Sequence, residues 1–422
     1  MTPRGCCFDS LRDGAFFEEV LKADMSFLAN WGIGNAILRP LAVLAIAVVS
    51  CVSAHAGQSK NFGTRAKAAI LMDADTGAIL FQHNADELLP PASMSKLMTL
   101  AVVFRAIKVG RLSLDDEFVM SEHAWRTGGA PSRTSAMFVP INTKATINDL
   151  LQGIIVQSGN DASIAIAEGM SGTEEAFAKR MMVEARRIGL TKSTFKNPTG
   201  FYHPDHLMTA REIALLSRHI IREYPEFYKI FSQKRFPYRR HKFYNRNPLL
   251  SAGIGVDGLK TGYIKASGYC LAASAKQDGK RLIAVVMGLP TKSARKSEGR
   301  KLLNWGFRSF KSFKLFDAEE TVGYARVWGG DRFYVPLIGK GEVSVILPRI
   351  PENPRLRAEI TYQGPLKPPI RKGDQVAKLR VTSQTNAVNE VPLYAAEDVE
   401  PGSLVRRGLD SLAHLALGWV PL

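Results

Sequence analysis

Cysteine is scarce in this chain, 4 in 422 residues, and three of them, Cys6, Cys7 and Cys51, fall early in the sequence. No disulfide framework can be built from such a set. Long apolar runs are scarce too. The cleanest, from Leu41 to Val49, is nearer the length of a signal-peptide core than the ~20 residues that span a bilayer. Acid is in deficit, with 39 Asp and Glu against 56 Lys and Arg. There is no glycine-rich phosphate loop, and no aromatic-interleaved patch is read as a nucleic-acid site, so neither phosphate-bearing cofactors nor nucleic acid are expected to bind. Metal ligands are thin: His203-Pro204-Asp205-His206 groups two histidines with an aspartate, but its proline and turn residues read as a surface loop. No metal, no cofactor and no nucleic-acid partner is expected.

What is present begins with an export signal. Arg39 precedes the apolar run, and Ala54-His55-Ala56 offers an A-x-A cleavage site before Gly57. Cleavage there removes Cys6, Cys7 and Cys51 and leaves Cys270 alone, which suits an oxidising compartment. Asp9, Asp13, Glu18, Glu19 and Asp24 are acidic where a signal n-region is basic, so Met25 is the better start. Val48-Val49-Ser50-Cys51 is a competing, loose lipoprotein site. The removed segment carries four basic and five acidic residues, so the formal +17 becomes about +18, a charge that favours anionic membrane surfaces and cell-wall polymers.

Three short motifs carry the chemistry: Ser93-Met94-Ser95-Lys96, then Ser158-Gly159-Asn160, then Lys260-Thr261-Gly262. In the order S-x-x-K, S-x-N, K-T-G they specify acyl transfer on a serine. A serine hydroxyl is a poor nucleophile until its proton is removed, and a lysine three positions along a helix returns to the same face, within reach. S-x-x-K alone is weak, since Ser193-Thr194-Phe195-Lys196 and Ser293-Ala294-Arg295-Lys296 match as well. The setting selects the first: Pro90-Pro91-Ala92 stops an extended segment, and Leu97, Leu100, Ala101, Phe104 and Ile107 recur at helical spacing until Gly110. Ser93 is therefore expected to open a buried helix. Taken alone, Ser158-Gly159-Asn160 fits an ordinary turn equally well, with Asp161 capping the next helix. Lys260-Thr261-Gly262 precedes two apolar runs joined at Gln277-Asp278-Gly279, a hairpin whose edge would carry Lys260 and Thr261 into a groove.

On these motifs the chain resembles the serine penicillin-recognising enzymes, and within them the low-molecular-mass penicillin-binding proteins that act as D-alanyl-D-alanine carboxypeptidases. Pro91-Ala92-Ser93, Asp73-Ala74-Asp75-Thr76-Gly77, Asn245-Arg246-Asn247, Val256-Asp257-Gly258 and Gly268-Tyr269 extend the likeness over roughly residues 64 to 420. The resemblance implies that Ser93 is acylated, that Lys96 is its general base, and that Ser158 and Lys260 relay the proton to the leaving amine. Asn160 would hold the acyl side chain, and the backbone N–H groups of Ser93 and Tyr263, the latter beside Gly262, would bind the oxyanion. Thr261 and Arg246 would grip the substrate's terminal carboxylate, for which a planar guanidinium is suited. Peptidoglycan stem peptides are the implied substrates and β-lactams the implied inhibitors. Two departures stand out: Glu212 where relatives commonly carry aspartate, and Thr199 where they often carry histidine.

A class A β-lactamase would need a deacylating glutamate in an E-x-x-L-N pattern, and Glu212-Ile213-Ala214-Leu215-Leu216 lacks the asparagine. A DD-endopeptidase would use the same catalytic residues. A non-catalytic cell-wall binding protein has no need to keep every motif residue.

The expected organisation is an extension and signal peptide over 1–56, a catalytic α/β domain over 57–313 with an antiparallel sheet flanked by helices, a small all-β domain over 314–399, and an amphipathic helix over 400–422. The catalytic domain is expected to begin and end in strands of that one sheet. In the last segment Leu404, Val405, Leu409, Leu412, Leu415, Leu417 and Trp419 alternate with Arg406, Arg407 and His414, a pattern suited to lying in an anionic membrane interface. The protein is thus expected to be exported, periplasmic and peripherally attached to the cytoplasmic membrane.

Overall fold

The computed structural model describes residues 62–349, 356–383 and 388–403, so the expected signal segment, Cys51 and nearly all of the expected C-terminal helix lie outside the described residues. Strand β1 (Ala68–Asp73) is buried along its whole length, as a strand covered on both faces must be. It turns on Asp73, whose carboxylate accepts the Thr76 N–H at 2.8 Å and the Thr76 hydroxyl at 2.7 Å, and on Gly77 at φ +79°, into β2 (Ile79–His83). Two small antiparallel pairs follow, β3 (Glu117–Val119) with β4 (Lys144–Thr146) and β5 (Arg235–Tyr238) with β6 (His241–Tyr244). Next come β7 (Val256–Ile264), β8 (Gly268–Gln277) and β9 (Lys280–Leu289). Asp278 and Gly279 take φ of +48° and +76°, the left-handed pair that a tight hairpin requires.

The main sheet has the order β2-β1-β9-β8-β7, antiparallel throughout, which leaves β7 on an edge. Around it run α1 (Lys96–Lys108), α2 (Glu122–Gly128), α3 (Ile147–Gln152), α4 (Asn160–Ser171), α5 (Glu174–Ile188), α6 (Ala210–Glu223), the single turn α7 (Pro225–Tyr228) and α8 (Lys292–Ser309). Alternation along β1 splits its side chains between two cores. Ala68, Ile70 and Met72 face a core with Leu97 and Phe104 of α1 and Ile213 of α6. Ala69 and Leu71 face Leu302, Leu303 and Phe307 of α8. Helix α8 sits close because of Gly306, where a Cβ would lie 2.5 Å from Leu71 Cδ2.

After α8 come β10 (Phe310–Phe316), β11 (Thr321–Arg326), β12 (Tyr334–Ile338), β13 (Val343–Pro348), β14 (Leu356–Thr361), β15 (Gln375–Ser383) and β16 (Val388–Ala395). The main sheet therefore gives way to a helix, and β10 pairs with β13 instead of joining that sheet. This corrects the expectation of a closing strand: the apolar residues of the segment after β9 recur at helical spacing, and Thr291 caps it by accepting the Ala294 N–H. Position 313/314 lies inside β10. The remaining strands form a second antiparallel sheet in the order β11-β12-β16-β15-β14, over a core that includes Val335, Leu337, Val345, Leu379 and Leu393. Buried Asn389 of β16 bonds both the N–H and the C=O of Ile346 at 3.2 Å, and so ties β13 to this sheet. The fold is the expected α/β domain joined to small all-β elements.

Candidate active site

Ser93 lies on a tight 3₁₀ turn, Ala92–Ser95, and α1 begins only at Lys96, so the serine precedes the helix it was expected to open. The reason is the backbone of Ala92, a buried residue at φ +50°. A left-handed alanine costs on the order of 1 kcal/mol and breaks helical continuity at that point. Two glycines fit around it. A Cβ on Gly200 would lie 2.0 Å from the Ala92 oxygen, and one on Gly262 would lie 2.9 Å from the Pro91 oxygen. The edge of β7 is thereby pressed against the turn that carries the nucleophile.

Lys96 is fully buried. Its Nζ lies 3.2 Å from Ser93 Oγ, 2.6 Å from Asn160 Oδ1 and 2.5 Å from the Thr199 carbonyl oxygen. Burial above all, and then the Arg246 charge, push Lys96 down to about 7, against the opposing pull of the Asp161 carboxylate. A neutral amine has two hydrogens and one lone pair. Asn160 and Thr199 take the two hydrogens, which leaves the lone pair for the Ser93 hydroxyl.

The second motif sits where α3 gives way to a π-helical turn, Gly153–Gln157, ended by Ser158 at φ +65°. Such turns re-aim side chains, often at functional sites. Ser158 Oγ is buried without a hydrogen-bond partner, an orphan that ordinarily costs about 1 to 3 kcal/mol. Asp161 does not cap α4, as an ordinary turn would require. It lies inside the helix, and its carboxylate accepts the N–H groups of Met137 and Phe138 at 2.8 Å each and that of Val139 at 3.4 Å. That clamp fixes the loop from which the Thr134 hydroxyl accepts a bond from Asn160 Nδ2 at 2.9 Å. The amide of Asn160 is thus oriented with its oxygen on Lys96.

Lys260, Thr261 and Gly262 lie on β7 and are buried, as the expected groove-lining edge requires. Lys260 is held well below the usual lysine range, first by burial and then by the charges of Lys96, Arg246 and Arg295. Tyr263 is exposed and stacks on Tyr269, centroids 4.2 Å apart. Arg246 is also exposed, yet crowding by the site lowers its own pKa and lets its charge act on both lysines. Asn245 and Asn247 hold it in place: Asn245 Nδ2 donates to the Gln233 carbonyl and Asn247 Nδ2 to the Gly258 carbonyl, at 2.9 and 2.8 Å. Ser93, Lys96 and Asn160 are joined by hydrogen bonds, Gly262 of β7 closes on the turn that carries Ser93, and the charges of Lys96 and Arg246 act on Lys260 across the groove between them.

The sequence reading does not place the remaining participants in the site. The Thr199 carbonyl is a backbone atom, and no side-chain pattern marks it. Arg295, passed over within a discounted S-x-x-K match, has a buried Nε without a partner and a charge felt at Lys260. His206 corrects the surface-loop reading of His203-Pro204-Asp205-His206. It is buried, its Nε2 lies 2.7 Å from Ser95 Oγ, its Nδ1 accepts the Lys196 N–H, and burial pushes it down to about 4. The carboxylate of Glu212 takes the backbone N–H groups of Lys192 and Ser193 and the Ser193 hydroxyl. Asp257 receives the Tyr228 hydroxyl at 2.6 Å and Arg281 at 2.8 and 2.7 Å, which braces the start of β7. Among the described residues no group of three or more His, Cys, Asp or Glu could hold a metal ion.

Comparison with known proteins bears on this groove. Residues 54–291 match the family described as D-alanyl-D-alanine carboxypeptidase, and residues 310–401 match that described as penicillin-binding protein 5, C-terminal domain. The chain is 38% identical over 389 residues to D-alanyl-D-alanine carboxypeptidase DacC of Escherichia coli strain K12, covering 91% of this chain and 95% of that protein. It is similar to the solved penicillin binding protein 5 from Haemophilus influenzae, with 36% identity and a TM-score of 0.70 over 80% of this chain and 98% of that one. It is also similar to penicillin-binding protein D2 from Listeria monocytogenes, solved in an ampicillin-bound form, at 29% identity and a TM-score of 0.51 over 58% of this chain and 99% of that one.

Proposed function

The chain belongs to the D-alanyl-D-alanine carboxypeptidase family, and from that premise we propose that its Ser93 takes up the acyl group while Lys96 moves the proton. The protein is a serine-type D-Ala-D-Ala carboxypeptidase that trims the terminal D-alanine from peptidoglycan pentapeptide stems and is acylated by penicillin. In the proposed sequence, neutral Lys96 accepts the Ser93 proton as Oγ bonds to the carbonyl carbon of the penultimate D-alanine. Backbone N–H groups of Ser93 and Tyr263 receive the oxyanion, donors typically worth about 3 to 4 kcal/mol each in such enzymes. The C–N bond then breaks, and the leaving D-alanine amine takes a proton passed from Lys96 through Ser158 and Lys260. Water, deprotonated by Lys96, hydrolyses the ester and restores Ser93. Asn160 holds the acyl side chain, while Thr261 beside Gly262, together with Arg246, grips the terminal carboxylate.

The observation that carries this reading is Lys96 itself, buried, pushed to about 7 and 3.2 Å from Ser93 Oγ. The partnerless hydroxyl of Ser158 supports it, because the hydrogen bond it lacks in the free protein is available to a substrate amine. Export by the N-terminal segment, a periplasmic location and attachment to the anionic membrane surface through 400–422 belong to the same proposal. Among the described residues no helix is long and apolar enough to cross a membrane. The test is to give the purified protein a muramyl pentapeptide and a cross-linked dimer. D-alanine released from the pentapeptide is expected. Cleavage of the dimer without D-alanine would transfer the assignment to a DD-endopeptidase.

A further inference from the structure

Between Glu226 and Asp257 the chain contains no acidic residue. That stretch carries Lys234, Arg235, Arg239, Arg240, Lys242 and Arg246, all exposed and none in an ion pair among the described residues. Elsewhere on this surface cations are often paired, as in Arg211 with Asp86, Arg105 with Glu184 and Lys378 with Glu390. The β5–β6 hairpin is not a loose basic loop. Its pleat buries Phe236 against Phe243 across the ladder and turns Arg235 and Lys242 outward. Phe243 stacks on Phe138 at 6.2 Å between centroids and His241 packs tilted against it at 5.0 Å, and the Phe138 backbone is held by the Asp161 clamp. The basic face is therefore fixed to the same scaffold as Asn160. Arg246 continues it into the groove.

We propose that the outward face of the β5–β6 hairpin is a docking surface for the carboxylates of peptidoglycan stem peptides that lie outside the D-alanyl-D-alanine terminus. The proposal rests on the carboxypeptidase reading above. Lys242 and Arg246 are four positions apart, a span of at most roughly 13 Å along an extended chain. A stem peptide of four or five residues can therefore place its terminal carboxylate at Arg246 and side-chain carboxylates over the hairpin. Fixed unpaired cations beside a cleft raise the local concentration of an anionic substrate and its association rate, and salt abolishes the gain. The occupant is polyanionic and extended, which matches a stem peptide within the cell-wall polymer.

The test compares wild type with Arg239→Ser/Arg240→Ser/Lys242→Ser and with the charge-reversed triple variant to glutamate. One substrate is a diacetyl-lysyl-D-alanyl-D-alanine tripeptide, whose only carboxylate is terminal, and the other is a muramyl pentapeptide with its side-chain carboxylates free. For the serine variant, kcat/KM on the tripeptide is expected to stay within about twofold of wild type, which also reports an intact fold. On the pentapeptide at low salt it should fall roughly tenfold through KM, more in the glutamate variant, with the difference vanishing at high salt. Equal losses on both substrates, or no loss on the pentapeptide, would overturn the proposal. So would loss of binding to vesicles containing phosphatidylglycerol with pentapeptide kinetics unchanged, since the face would then meet the membrane. Failure of wild type to release D-alanine from the tripeptide would instead count against the carboxypeptidase reading.

Discussion

Two residues beyond Ser93, Ser95 Oγ lies 2.7 Å from Nε2 of His206, a buried contact that ties the nucleophile's turn to the segment before α6. With the Lys196 N–H on Nδ1, the ring is neutral with its hydrogen on Nε2, donating to Ser95. Folding holds His206 at about 4 against an ordinary 6.5. From pH 6.5 down to about 4 the unfolded chain binds a proton that the folded one refuses, so stability falls with pH across that window. His206→Gln should be less stable than wild type at pH 7.5 yet lose less on acidification, by up to about 3 kcal/mol. Parallel denaturant melts at pH 7.5 and 4.5 check this; equal acid sensitivity of the two proteins would refute it.

The Lys96 ammonium also sits near its own switching point, about 7. Acylation by penicillin should rise with pH through that value on the acidic limb, since only the amine can accept the Ser93 proton. The same depression means the unfolded chain holds a proton between about 7 and 10.5 that the folded protein has released, so stability should climb with pH there. Lys96→Met should abolish acylation and lessen the climb in stability, with the remainder belonging to Lys260, which burial also holds low. Stopped-flow acylation and melting temperatures across that range measure them.

Ser93→Ala is expected to abolish labelling by a fluorescent penicillin while leaving the melting temperature near that of wild type. Intact mass spectrometry locates the adduct, and an adduct on any other residue would contradict the assignment.

Asp161 receives three backbone N–H groups of one loop. Asp161→Ala leaves those donors unpaired, so unfolding free energy should drop by about 1 to 3 kcal/mol for each one that stays buried. Asp161→Asn keeps an acceptor and should lose less. Acylation should slow in both, because the loop supplies the partner of Asn160 Nδ2. Guanidinium denaturation and acylation rates report the two effects separately.

Deleting residues 402–422 is expected to release the protein from anionic membranes while preserving D-alanine release from a soluble pentapeptide. Reversing Arg406 and Arg407 to glutamate should weaken vesicle binding most at low salt. Sedimentation of the truncated protein as full as that of the intact one would move the anchor to the N-terminus or to a lipid on Cys51.

The site was legible in the sequence to the extent that its chemistry resides in side chains at fixed spacings. Ser93 and Lys96, Ser158 and Asn160, and Lys260 and Thr261 each announce themselves, and the Gln277-Asp278-Gly279 turn marks the hairpin behind β7. The parts that were hidden are set by tertiary packing. Ala92 gives no hint of its left-handed backbone, which is imposed by the approach of Gly200 and Gly262. Asp161 looks like any aspartate at a helix start until the loop at 137–139 folds over it. His206 sits among turn residues, and only the path of the chain buries it. The strand that ends the domain, β10, pairs with β13 outside the main sheet, a partner choice set by packing that no local pattern at 310–316 records.

β7 occupies the outer edge of a five-stranded sheet, next to the turn that holds the nucleophile. A strand edge in that position can complete its ladder with only one guest at a time. If two copies of this protein associated through that edge, each would block the other's groove, so self-association by that route and turnover would be mutually exclusive. A β-lactam bound at Ser93 would then act as a dissociating agent, and any dimer that persists at saturating antibiotic must be built on some other face.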